Sequence, residues 1–397
     1  MMSSHDKFYV LAPHTALKRL EEPFLYDIEN DELYEMSDDA YQFLVACSHG
    51  ESPPLRKEDG EFIQYCLSEN LITVSEIPIP SKSVGQPSPV PSLRYLELQI
   101  TDRCNLRCRH CYLGNGLRQD LSFNRTKRIF EEFEEIQGLR LLLSGGEPLL
   151  HPKFWEINEI LRDFAFRSVL LSNGTLITQE IAKRLRVHEV QISLDGMREG
   201  HEAIRGERTF EKAVLAIDHL QEFGIRVSIA TMIHRGNLRE FDALASLLRS
   251  KNIGEWNVDL PCIEGRLKEN RDLWVPPSEA GRFLQFGYGG GLHSSVENAT
   301  CGAHLCAIIP NGTVAKCGLF SEEPVGSVDE GLRVCWKKIP RISLSELNCN
   351  CAEIEACRGG CRYRARTYGD LYQPDLFQCY ARGELKGGEA HDNSEGR

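Results

Sequence analysis

Three closely spaced cysteines dominate the chemistry that this sequence can support. Three residues separate the first from the second and two separate the second from the third: Cys104, Cys108 and Cys111. Thiolates at this spacing can bind three irons of an iron–sulfur cube and leave the fourth iron open. A structural zinc site is the alternative, because Cys-x2-Cys pairs on loops often bind zinc. His110 lies inside the triplet and the next cysteine, Cys262, is 151 residues away, so the spacing favours the cluster.

The elements around the triplet predict a parallel sheet. Tyr95 to Thr101 alternates apolar and polar residues and is typical of a strand, so the cysteines follow its carboxyl end. Parallel barrels keep their catalytic groups at that end. Strand-like and helix-like stretches then alternate: Leu139 to Leu143, Phe154 to Phe164, Arg167 to Leu171, Ile177 to Leu185, Val190 to Ser193, Phe210 to Phe223, Ile225 to Met232, Leu238 to Leu248 and Trp256 to Leu260. Six such β/α units predict an α/β fold with a partial parallel barrel.

Short polar motifs follow three of the predicted strands: Ser144 to Pro148, Ser172 to Thr175, and Ser193 to Gly196 with His201 and Arg205 shortly after. Gly145 and Gly146 leave room for backbone carbonyls to approach an ammonium group, and Glu147 adds a carboxylate. The guanidinium of Arg205 can hold a carboxylate with two hydrogen bonds. Short polar groups for hydroxyls and a carboxylate come from Asn173, Ser193 and Asp195.

In this order the motifs resemble the core of a radical S-adenosylmethionine (radical SAM) enzyme over residues 94 to about 262. The resemblance implies a partial (β/α)6 TIM barrel in which the triplet binds a 4Fe–4S cluster whose open iron binds SAM. An electron, from a donor such as flavodoxin or ferredoxin, would split SAM into methionine and a 5′-deoxyadenosyl radical that takes a hydrogen atom from the substrate. The residues implied in SAM binding are His110, Gly145, Gly146, Glu147, Pro148, Ser172, Asn173, Ser193, Asp195 and Arg205.

Most of the remaining cysteines fall in the last hundred residues: Cys301, Cys306 and Cys317, then Cys349, Cys351, Cys357 and Cys361, and finally Cys379. Ala307 to Ile309 and Thr313 to Ala315 flank an Asn-Gly turn and predict a β-hairpin, which would bring Cys317 back beside Cys306. Zinc ribbons are one explanation of such a region. A disulfide scaffold is disfavoured, because the total of fifteen cysteines is odd and no signal peptide precedes the chain.

The same region resembles the SPASM extension, which holds auxiliary 4Fe–4S clusters in radical SAM enzymes. Carried over by position, the ligands of the first auxiliary cluster are Cys301, Cys306, Cys317 and Cys361, and those of the second are Cys349, Cys351, Cys357 and Cys379. Only Asn350 separates Cys349 from Cys351, whereas the family pattern has two residues there. Cys335 is the substitute ligand if Cys349 cannot reach. Without Cys306, the first cluster would keep an open iron for a substrate thiolate.

The amino-terminal residues predict a separate module. A hairpin, two helices and a further strand have these predicted bounds: Pro23 to Ile28, Glu32 to Met36, Asp38 to Cys47, Lys57 to Glu69 and Leu71 to Val74. Ser37 is suited to cap the first helix. This winged-helix-like α+β unit resembles the RiPP recognition element (RRE), a PqqD-like domain that binds the leader of a precursor peptide, which pairs as an added strand. The alternative is that the module only braces the barrel.

These signals divide the chain into five segments. Residues 1–76 are the PqqD-like/RRE domain, 77–93 a proline-rich linker, 94–290 the radical SAM barrel, 291–384 the SPASM domain and 385–397 a disordered tail. The chain of 397 residues, 41% of them hydrophobic, can bury one large core and two small ones.

Composition also limits the partners and the location. The net charge of −12 argues against nucleic acid as a partner, and no apolar run reaches the roughly 18 residues of a membrane span. A reducing cytoplasm suits fifteen thiols and three oxygen-sensitive clusters.

The predicted function is a radical SAM/SPASM peptide maturase that oxidises or crosslinks a residue of a ribosomally made precursor peptide. The product would be a thioether, a carbon–carbon crosslink or a related oxidation. Cys262, at the end of the sixth strand, is the one catalytic candidate, and a spare buried thiol is its other interpretation.

Three other functions fit parts of the pattern. A sulfatase-maturing, formylglycine-forming enzyme commonly has an aspartate where this chain has Gly318. A haem-biosynthesis radical SAM enzyme would have no use for the amino-terminal module. A zinc-stabilised peptide-binding protein would lack catalysis altogether.

Overall fold

The structure is a computed structural model that describes residues 8–51, 53, 59–80, 86–114, 116–291, 293 and 298–385.

The amino-terminal module is an α+β unit with two small sheets. The module contains β1 (Phe8–Leu11), β2 (Thr15–Arg19), β3 (Pro23–Asp27), β4 (Glu32–Glu35), α1 (Asp38–Ser48), α2 (Asp59–Ser68) and β5 (Ile72–Ser75). Strands β2, β3 and β4 form an antiparallel sheet, and β1 pairs with β5. The predicted hairpin, helices and last strand are confirmed within a few residues, although residues 57 and 58 lie outside the described part; the sequence pattern does not predict β1 and β2.

Local signals and apolar spacing explain this module. The Ser37 hydroxyl accepts the Ala40 N–H at 3.2 Å and caps α1. The apolar sides of both helices pack with the strands into one core that includes Leu25, Leu44, Cys47, Cys66 and Ile72. Cys47 and Cys66 therefore serve as small apolar core residues.

Six parallel strands in chain order form the partial barrel. Its elements are β6 (Tyr95–Thr101), α3 (Phe123–Glu135), β7 (Arg140–Gly145), α4 (Phe154–Ile160), β8 (Arg167–Ser172), α5 (Gln179–Arg184), β9 (Glu189–Ser193), α6 (Arg198–Arg205), α7 (Phe210–Glu222), β10 (Arg226–Met232), α8 (Phe241–Ser250) and β11 (Glu255–Asp259). Each strand pairs in parallel with its neighbour in sequence. The predicted α/β fold is confirmed.

The strand β6 shows how the sheet separates core from cavity. Leu96, Leu98 and Ile100 are fully buried in the apolar core with Phe130 and Phe133 of α3. Because side chains alternate along a strand, the intervening residues Glu97 and Gln99 face the interior of the barrel. The polar side of β6 therefore reaches the space enclosed by the strands.

The carboxyl-terminal region adds three strands to the same sheet. It contains α9 (Pro277–Ala280), β12 (Leu305–Ile308), β13 (Thr313–Ala315), β14 (Gly326–Ser327), α10 (Leu332–Lys338), α11 (Ile354–Cys357), α12 (Arg362–Thr367) and α13 (Leu376–Ala381). The predicted hairpin is confirmed as β12 and β13. In addition, β12 pairs in parallel with β6, which makes one mixed sheet of nine strands.

The amino-terminal module is fixed to the amino ends of the barrel strands, opposite the cysteine triplet. Lys18 Nζ donates to the carbonyls of Gly138 at 2.8 Å and Ala165 at 2.6 Å. Arg167 Nη1, at the start of β8, donates to the Ile28 carbonyl at 2.9 Å. Asp31 forms an ion pair with Arg140 at the start of β7. These contacts place the described part of the module at the end of the barrel opposite the triplet.

Part of the predicted linker packs against the protein. The Ser88 N–H donates to the Arg19 carbonyl at 2.8 Å, and the Ser92 N–H donates to Glu21 Oε1 at 2.6 Å. Residues 81–85 of the linker lie outside the described residues, as do all residues of the predicted tail after Leu385.

Over the part of the chain that the structure describes, every helix is too short or too polar to cross a lipid bilayer.

Candidate active site

One large cavity opens at the carboxyl ends of the barrel strands. Its volume is about 970 Å³. Six thiols line it: Cys104, Cys108, Cys111, Cys262, Cys317 and Cys361. Of the residues implied in SAM binding, seven line the same space: His110, Gly145, Gly146, Ser172, Asn173, Ser193 and Arg205. The cysteine triplet, the polar strand ends and the carboxyl-terminal region therefore share one enclosure.

The two glycines at the end of β7 are required by close packing against the start of the cysteine loop. A Cβ on Gly145 would lie 2.2 Å from the Thr101 carbonyl oxygen, and one on Gly146 would lie 2.4 Å from that of Arg103. The Gly146 N–H donates to Thr101 O at 2.8 Å, and the Glu147 N–H donates to Arg103 O at 2.7 Å. Gly145 also has a φ of +145°, which favours glycine. The backbone after β7 thus fixes the position of the cysteine loop.

Glu147 is fully buried and lies behind the cavity wall. Its carboxylate accepts hydrogen bonds from Ser172 Oγ at 3.0 Å and from the Asn173 N–H at 2.9 Å. Burial raises the pKa of Glu147 to about 7, and these hydrogen bonds oppose the rise. Asn173 Nδ2 in turn donates to Asn105 Oδ1, at 3.0 Å, next to Cys104. Glu147 therefore positions the loop after β8; neither it nor Pro148 lines the cavity.

Asp195 and Arg205 form a buried ion pair beside the triplet. Asp195 is 0% exposed and accepts the Met232 N–H at 2.8 Å as well as Arg205 Nε. Although burial opposes ionisation, the nearby Arg205 charge helps hold the pKa of Asp195 below its usual value. Arg205 Nη1 also lies 4.0 Å from Cys108 Sγ, while the Asp195 N–H donates to His201 Nδ1 at 3.1 Å. Asp195 does not line the cavity, so its role there is to hold Arg205.

Arg266 holds the cysteine loop in place by hydrogen bonds, a role that the sequence did not predict. Its Nη1 donates to the Cys108 carbonyl at 3.2 Å and its Nη2 to the Gly114 carbonyl at 2.6 Å. The Arg266 N–H donates to the Cys111 carbonyl at 3.0 Å. These contacts join segments more than 150 residues apart, so the sequence offers no local signal for them.

Glu97, Gln99 and Tyr112 form a polar cluster between the triplet and the carboxyl-terminal cysteines. Gln99 Nε2 donates to Glu97 Oε1 at 2.9 Å and to Tyr112 OH at 3.0 Å. Tyr112 OH donates to Glu97 Oε1 at 3.3 Å. Glu97 and Tyr112 line the cavity directly. The alternation of β6 could have identified Glu97 as an inward carboxylate.

Three of the four cysteines expected for the first auxiliary cluster lie together, whereas Cys306 lies elsewhere. Burial raises the pKa of Cys317 to about 12, and the charges of Glu97, Cys301 and Cys361 contribute to the rise. Cys306 is fully buried in the main apolar core, and burial followed by the charge of Cys335 raises its pKa. Because β12 turns its side chain into the core, Cys306 does not approach the other three.

The four cysteines expected for the second auxiliary cluster lie together. Burial raises the pKa of Cys379 to about 12, and the thiolate charges of Cys357, Cys349 and Cys351 raise it further. Cys335 is remote from this group, because its thiol donates to the Ser327 carbonyl at 3.3 Å within the apolar core. The single residue between Cys349 and Cys351 therefore does not keep them apart.

The residues of the cavity fit a thiolate-bound cluster with SAM. The three thiols of the triplet and the two glycines line one space, and the buried His110 Nδ1 has no hydrogen-bond partner among the described residues. Among the described residues no three Cys, His, Asp or Glu side chains converge on a point that would suit a single metal ion. In a cube each thiolate binds a different iron, so such convergence is not needed.

Comparisons with known proteins agree on one family. A model of the radical SAM superfamily matches residues 98–248. The mycofactocin maturase MftC of Mycobacterium tuberculosis is 31% identical over 304 residues, which cover 67% of this chain and 77% of the relative. The AdoMet-dependent heme synthase of Methanosarcina barkeri is 31% identical over 343 residues, which cover 73% of this chain and 97% of the relative.

Two solved structures share the fold. Streptococcus suis SuiB bound to precursor peptide SuiA superposes with a TM-score of 0.69 at 14% identity, covering 93% of this chain and 100% of that one. The enzyme anSMEcpe with bound AdoMet and the Kp18Cys peptide superposes with a TM-score of 0.59 at 19% identity, covering 73% of this chain and 95% of that one.

Proposed function

Because the chain belongs to the radical SAM superfamily of enzymes, we propose that it oxidatively modifies a ribosomally made precursor peptide. The observation that carries this proposal is the single cavity of about 970 Å³ bordered by the triplet, by Arg205 and by Cys317 and Cys361. A cavity of this size can hold SAM and a peptide side chain together. The product would be a thioether, a carbon–carbon crosslink or a related oxidation.

The triplet Cys104, Cys108 and Cys111 would hold the 4Fe–4S cluster that binds SAM. When bound, this group supplies the electron that splits SAM into methionine and a 5′-deoxyadenosyl radical. The Arg205 guanidinium, fixed by Asp195, would orient the SAM carboxylate, and the backbone of Gly145 and Gly146 would receive its ammonium group. The polar groups of Ser172, Asn173 and Ser193 would bind the ribose, and His110 would flank the adenine.

Glu97 is suited to accept the proton that the substrate loses. Loss of a hydrogen atom, an electron and a proton is needed to oxidise a carbon centre in such a peptide. Glu97 lines the cavity, its Oε1 lies against Gly318 next to Cys317, and Tyr112 and Gln99 hold it there by hydrogen bonds. A carboxylate fixed by two donors is a suitable general base.

The carboxyl-terminal region would hold two auxiliary 4Fe–4S clusters in a SPASM arrangement. The proximity of Cys301, Cys317 and Cys361 supports the first, and that of Cys349, Cys351 and Cys357 to Cys379 supports the second. The first site borders the cavity and could accept the electron left on the substrate. A flavodoxin or ferredoxin would supply electrons to the protein.

The amino-terminal module would bind the leader of the precursor as an RRE. Strand β4 is an edge of its three-stranded sheet, and no strand of the described residues pairs with its outer side. The Tyr34 ring lies 6.3 Å from that of Tyr65, which is 49% exposed on α2. A peptide strand added to β4 could pack on these rings. SuiB, with the same fold, has been solved with its precursor peptide bound.

The test of this function uses anaerobic protein, reductant, SAM and any short cysteine-bearing or aromatic-rich peptide encoded beside the gene. We expect 5′-deoxyadenosine and a peptide of altered mass, with neither formed by the Cys104→Ala/Cys108→Ala/Cys111→Ala variant. A Tyr34→Ala/Tyr65→Ala variant should bind the full precursor more weakly and a leaderless peptide unchanged. Tyr372→Ala, at another exposed tyrosine, is the matched control. Absence of 5′-deoxyadenosine from fully loaded protein would contradict the proposal.

A haem-pathway activity is the second candidate, because the Methanosarcina barkeri heme synthase matches over 97% of its length. That match covers 73% of this chain, whereas the fold similarity to SuiB covers 93%. Incubation with an iron porphyrin in place of the peptide separates the two: decarboxylated porphyrin without peptide modification would support the haem pathway.

A further inference from the structure

The loop after β11 is joined to the start of α12 on both sides of Cys262. Arg364 forms an ion pair with Asp259, and Tyr363 OH donates to Glu264 Oε1 at 2.6 Å. Asp259 and Glu264 enclose Cys262 in sequence, and Tyr363 and Arg364 follow Cys361 by two and three residues. Two side-chain links therefore hold the Cys262 segment against the Cys361 segment.

The thiols of these two segments line the same cavity. Cys262, Cys317 and Cys361 all border it. Burial raises the pKa of Cys262, and the charges of Cys361, Asp259 and Cys317 raise it further. Because Cys262 and Cys361 line the same cavity and two side-chain links join their segments, the two thiols lie near each other.

Cys301 is a further thiol close to Cys361. The Arg362 N–H points to Cys301 Sγ at 3.5 Å. Burial raises the pKa of Cys317 and of Cys361, and the charge of Cys301 adds to both rises. Three thiols from three segments therefore line the cavity, and Cys301, from a fourth segment, lies behind them beside Cys361. Cys306 is not among them, because its side chain is 0% exposed within the main core.

We propose that Cys262 is the fourth thiolate ligand of the first auxiliary cluster, in the place that the sequence motif assigns to Cys306. The inference rests on the auxiliary cluster of the proposed function. A cube with four cysteine ligands has no vacant iron, so it serves as an electron acceptor and does not bind a substrate thiolate. The ligand then comes from the sixth barrel strand, which couples the cluster directly to the catalytic domain.

The experiment begins with the Cys104→Ala/Cys108→Ala/Cys111→Ala variant, because the triplet's own cluster also has an open iron. This parent should bind about eight irons per chain in two four-cysteine cubes. A cube that lacks one cysteine ligand loses an iron on mild oxidation and gives the electron paramagnetic resonance signal of a 3Fe–4S cluster. Cys262→Ala and Cys306→Ala are added separately to the parent as matched changes.

We expect no 3Fe–4S signal from the oxidised parent or from its Cys306→Ala form. The Cys262→Ala form should instead show one 3Fe–4S cluster per chain after oxidation, or should contain four fewer irons than the parent. A 3Fe–4S signal from the Cys306→Ala form and none from the Cys262→Ala form would show that Cys306 is the fourth ligand. A 3Fe–4S signal from the parent would show that an auxiliary cluster already has an open iron. Either result overturns the proposal. Unchanged iron and spectra in the Cys262→Ala form overturn it too.

A Cys262→Ser form controls for misfolding of the Cys262→Ala form, because the serine side chain has nearly the same shape as cysteine and its oxygen can still bind iron. It should retain about eight irons with a shifted midpoint potential for one cluster. An unchanged potential would contradict the assignment. Formation of 5′-deoxyadenosine is measured separately on protein with an intact triplet, so a failure of this assignment is distinguishable from a failure of the proposed function.

Discussion

Gly318 lies directly against Glu97, although the two residues come from the carboxyl-terminal region and the first barrel strand. A Cβ at position 318 would lie 3.0 Å from Glu97 Oε1, 3.0 Å from Tyr112 OH and 2.9 Å from Gln99 Nε2. The carboxylate of Glu97 thus occupies the space next to Cys317 that a side chain at position 318 would otherwise fill. The carboxylate next to Cys317 therefore belongs to a barrel residue, Glu97, and not to the carboxyl-terminal region.

The Gly318→Ala variant should therefore disturb the Glu97 cluster while leaving the triplet intact. The added methyl group would push Glu97 and Tyr112 away by a few tenths of an ångström and weaken their hydrogen bonds. We expect peptide modification to fall at least about tenfold, because displaced catalytic groups lose alignment. SAM cleavage without peptide should be unchanged. Gly254→Ala, which meets open space, is the control and should behave as wild type in both assays.

Glu97→Gln removes the base and keeps the shape. We expect the ratio of modified peptide to 5′-deoxyadenosine to fall by about 10²-fold or more, the usual contribution of a positioned general base. Chromatography of both products from the same reaction measures the ratio. The Glu131→Gln variant, on the exposed side of α3, should leave it unchanged. An unaltered ratio in Glu97→Gln would show that another group takes the proton.

Sequence pattern predicted the local parts of this architecture and missed those that depend on distant contacts. The strand from Tyr95 and the hairpin around Gly312 follow from alternation and turn chemistry, which act over a few residues. The pairing of β12 with β6 joins residues some 210 positions apart, and no local signal encodes it. For this reason the hairpin was expected to bring Cys306 and Cys317 together, whereas docking of β12 on β6 buries Cys306 in the core.

The candidate site divides in the same way. The motif residues Asn173, Ser193 and Arg205 do border the cavity. Asn173 and Ser193 lie at the carboxyl ends of β8 and β9, and Arg205 ends α6, the helix that follows β9. Glu147 was expected to face the ligand but instead supports Ser172 and Asn173 from behind. A spacing motif identifies which residues matter, whereas only the packed chain decides which of them face the cavity.

Arg205→Met should destabilise the protein strongly, because it leaves the Asp195 carboxylate buried without its partner. Breaking a buried pair from one side costs about 3–5 kcal/mol. Most of this loss should be recovered in the double variant Arg205→Met/Asp195→Asn. The control is Arg198→Met on the same helix, whose pair with Glu211 is largely exposed and should cost less than about 1 kcal/mol. Urea unfolding of cluster-free protein gives the free energy of unfolding of the wild type and of the three variants. Equal losses for Arg205→Met and Arg198→Met would refute the buried-pair argument.

His188 should make the fold sensitive to acid. Burial, with the charges of Arg162 and Arg167, lowers the pKa of His188 to about 3, while its Nδ1 accepts the Ser168 N–H at 3.0 Å. The unfolded chain, with a histidine pKa of about 6.5, binds the proton more readily, so stability is lost as pH falls below about 6.5. The slope is at most about 1.4 kcal/mol per pH unit from this residue. The His188→Asn variant should show a shallower fall in urea midpoint between about pH 6.5 and 5, whereas His49→Asn, at an exposed position, should keep the wild-type slope. Identical slopes in His188→Asn and wild type would contradict the assignment.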